Sequence, residues 1–238
     1  MLSASLVNGT LLIEGTDGDD RIVVDIAAAN PQPTDREKMY SVWSVDGVQF
    51  GRVRYKDVKR VVIHLGQGND TANQWVNVDT TGYFTQMIHV PVLIDGGAGN
   101  DTLWVTAAHA TLVGGEGNDT IGGDAFNERS RFRMDGGDGD DSIIGSDGND
   151  RILGRDGDDY IDARGGNDVI YGGNGSDSLV GGDGRDYLNA AAGDDRLIGG
   201  DLRDILIGGA GADVFDFLSD QRGEAKDFEL NIDHTRPL

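Results

Sequence analysis

Residues 136–216, written in blocks of nine, read GGDGDDSII, GSDGNDRIL, GRDGDDYID, ARGGNDVIY, GGNGSDSLV, GGDGRDYLN, AAAGDDRLI, GGDLRDILI and GGAGADVFD. Asp141, Asp150, Asp159, Asp168, Asp177, Asp186, Asp195, Asp204 and Asp213 recur nine residues apart without a slip. Two residues after each stands a large apolar side chain: Ile143, Ile152, Ile161, Ile170, Leu179, Leu188, Leu197, Leu206 and Phe215. The unit is GGxGxDxUx, with U apolar; Ala163 and Ala190 replace a first-position glycine, and Leu202 replaces the fourth-position glycine before Asp204. A fixed period of this length predicts a repeat architecture, because disordered sequence requires neither an exact period nor a recurring Ile or Leu.

Elementary geometry converts the unit into a fold. Glycines at positions one, two and four permit positive φ and a tight turn that gathers backbone carbonyls round a centre, where the aspartate adds charged oxygen. Positions seven to nine form a short strand, position eight inward and its neighbours outward. Two units make a coil of turn, strand, turn, strand, and stacked coils pair their strands in parallel at a spacing of about 4.8 Å. Aspartates two units apart then stand above one another along two edges: Asp141, Asp159, Asp177, Asp195 and Asp213 on one, Asp150, Asp168, Asp186 and Asp204 on the other. Bare, each edge is a ladder of like charges. Calcium, a hard cation that takes six to eight oxygens, turns it into an adhesive seam.

The unit resembles the nonapeptide of the RTX (hemolysin-type) calcium-binding repeat proteins, and the resemblance covers residues 94 to 232. It implies an all-β fold, a parallel β-roll or right-handed β-helix, loaded with about six to eight calcium ions. Besides the nine aspartates, Asp101 and Asp119 carry earlier copies of the motif. Positions one, three and five are expected to add metal-site oxygens through Gly136, Asp138 and Asp140; Gly145, Asp147 and Asn149; Gly154, Asp156 and Asp158; Gly165 and Asn167; Gly172 and Asn174; and Gly181 and Asp183. Among these, the Leu202 turn before Asp204 is expected to be the weakest calcium site.

The pattern weakens upstream. Val105 to Val113 keeps an inward Leu112 but has no aspartate, so it reads as a strand without a site. Gly123 to Asp135 carries a four-residue insertion in which Arg129, Arg131 and Arg133 are expected to interrupt the acidic edge and raise a bulge. Asp20 and Asp70 lie in isolated glycine turns that read as plain β-turns. Residues 1–90 form a β-rich N-terminal region, either a small cap or irregular first coils, with hairpin signals at Asn8-Gly9 and Asp46-Gly47. Residues 91–216 form the roll. Residues 217–238 form a C-terminal cap or the remnant of an export signal, with Phe215, Phe217, Leu218, Phe228, Leu230 and Ile232 supplying apolar bulk.

Composition agrees. With 42 acidic residues against 20 basic ones, 38 glycines and a net charge of -22, the chain holds too little apolar matter to fold comfortably without a cation. The absence of cysteine excludes disulfides and thiolate metal sites. No stretch is apolar enough to span a membrane, and Met1 to Thr10 lacks the regions of a cleavable signal. Neither HExxH nor GxSxG is present, so the chain reads as no enzyme. Arg52, Arg54, Lys56, Lys59 and Arg60 read as a solvated strand face and not a nucleic-acid site; His64, His89 and His109 have no zinc spacing.

Two functions follow as expectations. One is a calcium-dependent folding and secretion module of a secreted, extracellular or cell-surface bacterial protein, which the resemblance extends to a non-catalytic fragment of a larger hydrolase or epimerase. The other is an adhesion module that meets a surface, a polysaccharide, a protein or its own copy through the outer face carrying Leu153, Val169, Tyr171, Tyr187, Ile205 and Ile207.

Overall fold

The computed structural model describes residues 3–27, 40–45, 48–54, 58–77, 90–107, 109–123, 130–216 and 229–231. Among them every element is a strand, and the strands form two eleven-stranded sheets. The first sheet runs, in spatial order, β1 (Ser3–Val7), β2 (Thr10–Glu14), β6 (Arg60–Gln67), β8 (Val92–Ala98), β10 (His109–Glu116), β12 (Arg131–Asp138), β14 (Arg151–Asp156), β16 (Val169–Asn174), β18 (Tyr187–Ala192), β20 (Ile205–Ala210) and β22 (Glu229–Asn231). The second runs β5 (Val48–Arg54), β4 (Tyr40–Val45), β3 (Arg21–Ala27), β7 (Thr71–Asn77), β9 (Thr102–Val105), β11 (Thr120–Gly123), β13 (Ser142–Ile144), β15 (Tyr160–Asp162), β17 (Ser178–Asp183), β19 (Arg196–Asp201) and β21 (Val214–Asp216). The chain alternates between the sheets, winding a parallel β-solenoid as the repeat predicts.

Two columns of apolar side chains meet in the middle. In the first sheet Ile13, Ile63, Ile94, Leu112, Met134, Ile152, Ile170, Leu188 and Leu206 stand in register. In the second the column is Ile22, Ala72, Leu103, Ile121, Ile143, Ile161, Leu179, Leu197 and Phe215. All but Phe215 are buried, and Phe215 packs against the core from its end. Each buried Ile or Leu contributes about 1.5–3 kcal/mol. The core is one side chain deep from each sheet, so the turns decide whether the coils stack.

The N-terminal region consists of first coils of the same solenoid. β2 pairs in parallel with β6, β6 with β8, and β3 with β7, without a break in either sheet near residue 90. Antiparallel additions flank these coils: β1 folds back on β2 through Asn8 (φ 51) and Gly9 (φ 87), and β4 pairs with β3 and β5. At the far end β22 adds to β20 through Leu230 opposite Leu206. The expected closure by Phe217, Leu218, Phe228 and Ile232 lies outside the described residues.

The insertion after Gly123 leaves β10 and β12 in register, His109 opposite Arg131 and Glu116 opposite Asp138. The expected bulge and Arg129 fall on residues 124–129, outside the described residues. Arg131 and Arg133 correct one expectation: they alternate with buried Phe132 and Met134 and point to solvent from the strand, away from the acidic edge.

Candidate metal centre

Every turn from the first sheet to the second ends in an aspartate, and these aspartates form a continuous ladder. Each amide N–H donates to Oδ1 of the aspartate one coil later: Asp20 to Asp70 at 2.6 Å, Asp70 to Asp101 at 2.8 Å, Asp101 to Asp119 at 2.8 Å and Asp119 to Asp141 at 2.8 Å. The rungs continue from Asp141 to Asp159, Asp177, Asp195 and Asp213 at 2.8–3.1 Å. Among the described residues the opposite edge starts where Phe132 N–H donates to Asp150 Oδ1 at 2.7 Å, and continues through Asp168, Asp186 and Asp204. Asp20 and Asp70 are therefore rungs of the first edge, not isolated turns.

One carboxylate oxygen of each rung is thus occupied. The other is stranded: Oδ2 of Asp70, Asp101, Asp119, Asp141, Asp159, Asp168, Asp177, Asp186 and Asp195 is buried without a hydrogen-bond partner. A buried polar atom left alone costs about 1–3 kcal/mol, and a charged one more. Burial accordingly raises these carboxyls from 3.8, against a partial lowering by the ladder N–H: Asp70 and Asp141 to about 6, Asp119, Asp159, Asp177 and Asp186 to about 7, Asp168 to about 8. Neighbouring rungs add like-charge repulsion, as Asp141 and Asp101 do at Asp119. Asp101 and Asp195 are raised for the same first reason. A row of acids that resist ionising at neutral pH asks for positive charge.

The position-one glycine faces this stranded oxygen. A β-carbon on Gly114 would collide with Asp119 Oδ2 and lie 2.5 Å from the Gly136 carbonyl oxygen of the next coil. Gly96, Gly136, Gly154, Gly172 and Gly181 repeat the pattern, each with its own aspartate Oδ2 and a carbonyl oxygen of the following coil. In these six turns position one has no room for a β-carbon, whereas Leu65, Ala163 and Ala190 fill it ahead of Asp70, Asp168 and Asp195; the first-position glycine does not have positive φ, contrary to the sequence-based expectation. Positions two and four do carry positive φ, as at Gly137 (120°) and Gly139 (125°), and non-glycine residues adopt it at Arg155, Arg164, Ala191 and Leu202.

Carboxylate and carbonyl oxygens drawn this close to one point are calcium's preferred donors. Among the described residues no three His, Cys, Asp or Glu side chains cluster as a metal site, as expected where backbone carbonyls share the coordination. Position five has a separate job. Asp158 N–H donates to Asp140 Oδ1 at 2.9 Å, Ser176 N–H to Asp158 Oδ1 at 2.6 Å, and Asn167 N–H to Asn149 Oδ1 at 2.9 Å, so this exposed column stitches successive coils. Asn167 Oδ1 in turn accepts from Arg185 N–H. Position three lies at the exposed strand ends; Asn174 Nδ2 donates to Asp156 Oδ1 at 2.7 Å, while Asp138, Asp147 and Asp183 share the solvent side. The signal that could have revealed the position-five role was present: Asn or Asp fills it at residues 69, 100, 118, 140, 149, 158 and 167.

Away from the edges, His64 Nδ1 lies 3.3 Å from Asp95 Oδ2 on the outer face of the first sheet, and His109 is exposed. On the same face Tyr171 and Tyr187 pack with ring centroids 5.8 Å apart, and the Arg151 guanidinium sits 5.2 Å from the Tyr171 centroid. No helix among the described residues is long and apolar enough to cross a membrane.

The family model of the RTX calcium-binding nonapeptide repeat matches four times, over residues 95–127, 135–170, 171–206 and 190–220. No curated protein and no solved structure matches the chain.

Proposed function

Since the chain belongs to the RTX calcium-binding nonapeptide repeat family and its roll is a calcium-binding module, we propose that calcium binding is also what folds it. The observation that carries this reading is the row of buried, partnerless Oδ2 atoms, which at Asp101, Asp119, Asp141, Asp159, Asp177 and Asp186 lie beside a carbonyl oxygen of the next coil. The residues assigned to hold calcium are Asp70, Asp101, Asp119, Asp141, Asp159, Asp168, Asp177, Asp186 and Asp195. The ion supplies the positive charge and the many-oxygen coordination that these groups lack. The rest is done by the chain: Oδ1 fixes each carboxylate to the previous coil, and the apolar columns set the coil spacing. Because the two halves of each centre belong to different coils, binding free energy becomes folding free energy.

Repeats of this family are typical of secreted proteins, which supports a chain that travels unfolded where calcium is scarce and folds outside where it is plentiful. Extracellular calcium modules work at about 10⁻⁴ to 10⁻³ M. In this reading the roll is a folding and secretion module to which no catalysis is assigned. The test is a calcium titration followed by far-ultraviolet circular dichroism. A β-signal that grows cooperatively with calcium and far less with magnesium supports the reading; a full β-signal in chelator overturns it.

A second reading rests on the outer face of the first sheet. Val169, Tyr187 and Ile205 stand in one row, and Leu153 and Tyr171 in the next, giving an outward strip of apolar side chains. This strip suits contact with a surface, a polysaccharide or a second copy. Light scattering of the calcium-loaded protein, before and after Tyr187→Lys, tests self-association: a monomer in both cases removes that form of contact.

A further inference from the structure

The turns are not equivalent, and the difference lies at position two. In the Asp150 turn, position two is Ser146, which lacks positive φ. Its backbone N–H donates to Asp150 Oδ2 at 2.7 Å and its hydroxyl donates to the same oxygen at 2.9 Å. With Phe132 N–H on Oδ1, the Asp150 carboxylate is fully engaged. The Asp20 turn does the same: Thr16, also without positive φ, donates its N–H to Asp20 Oδ2 at 2.6 Å. Among the described residues these aspartates are the first rungs of their two edges.

Where position two has positive φ, the preceding peptide is rotated and its N–H no longer closes on Oδ2. This holds at Gly66 (108°), Gly97 (104°), Gly115 (124°), Gly137 (120°), Gly173 (136°) and Gly182 (104°), whose aspartates are Asp70, Asp101, Asp119, Asp141, Asp177 and Asp186. It holds equally at Arg155 (98°), Arg164 (70°) and Ala191 (77°), ahead of Asp159, Asp168 and Asp195. Non-glycine residues are disfavoured in that conformation by about 1–2 kcal/mol each. Strain of this kind persists where the surroundings require it, commonly at binding sites.

Resting on the calcium reading above, we propose that position two sets whether a turn takes an ion: the Asp20 and Asp150 turns, closed by Thr16 and Ser146, are metal-free end rungs, and the Asp70 turn, open at Gly66, is a calcium site outside the matched repeats. A calcium ion at Asp150 would have to displace two hydrogen bonds that the turn already makes to its own carboxylate. At Asp70, where Leu65 stands at position one, no hydrogen bond to Oδ2 has to be displaced, since that oxygen is buried and partnerless in a residue 1% exposed. The position-two rule thus departs from the reading by period, which includes Asp150 among the metal residues and leaves Asp70 out.

Native mass spectrometry of the full chain at saturating calcium, checked by equilibrium dialysis, counts the ions. Asp70→Asn is expected to lose one ion, Asp150→Asn and Ser146→Ala none, and Ser146→Gly, which frees position two to adopt positive φ, to gain one. Loss of an ion in Asp150→Asn, or an unchanged count in Asp70→Asn, overturns the inference, and these two variants decide it should Ser146→Gly fail to fold. Asp119→Asn separates the two levels: if it too keeps its full count, the calcium assignment of the ladder fails, whereas its loss of one ion alongside a loss in Asp150→Asn sinks only the position-two rule.

Discussion

Acid should rescue the metal-free protein. In the fold, Asp119, Asp159, Asp177 and Asp186 titrate at about 7 and Asp168 at about 8, from a usual 3.8. The folded, metal-free state therefore retains protons that the unfolded chain has already released. Stability contributed by these groups is full below about pH 4, falls as pH rises, and levels off only above their folded values. Ionising one carboxyl held at about 7 costs the fold about 4 kcal/mol. A domain commonly has about 5–15 kcal/mol of net stability, so only a few rungs can ionise before the roll comes apart. In chelator, circular dichroism should show little β-structure at about pH 7.5 and a recovered β-signal near pH 5. With calcium the dependence reverses, because ions bind the ionised form: affinity should rise with pH through the range from about 6 to 8. Asp168→Asn should stabilise the chelated protein near neutral pH and weaken the calcium-loaded one. A chelated protein whose β-signal and melting temperature do not change between pH 5 and 7.5 would refute the reasoning.

Other outcomes follow from single contacts. Gly136→Ala places a methyl group against Asp141 Oδ2 and the Gly154 carbonyl, and should cost about 1–3 kcal/mol in calcium melts, whereas Gly18→Ala, with nothing within 4 Å, should be nearly neutral. Leu202 holds φ 74 while 64% exposed, so Leu202→Gly should raise stability by about 1 kcal/mol in urea titrations. Asp168→Ala should lower the calcium-loaded melting temperature more than Asp204→Ala, since Asp168 joins Asp150 and Asp186 in the middle of its ladder while Asp204 is the last rung described.

The period of nine made the roll and its inward column legible, because Ile143, Ile152, Ile161 and their successors have one position in the unit and one environment in the core. It could not see past insertions. Asp20 and Asp70 are 50 residues apart and Asp70 and Asp101 are 31 apart, so their membership in the ladder became visible only when β2, β6 and β8 paired. The function of Ser146 was hidden for a different reason: one side chain at position two looks like a tolerated substitution until the direction of its N–H is known. Arg131 and Arg133 misled because charge was read by sequence distance from the edge, whereas strand alternation sends both to the outer face.

Among the described residues, aspartate rungs run along the first edge from Asp20 to Asp213 and along the second from Asp150 to Asp204. Eleven strands at about 4.8 Å make a rod of about 50 Å. On the calcium reading such a body resembles a book bound along two spines: from Asp150 onward, withdrawing the ions would loosen both edges of the described coils together.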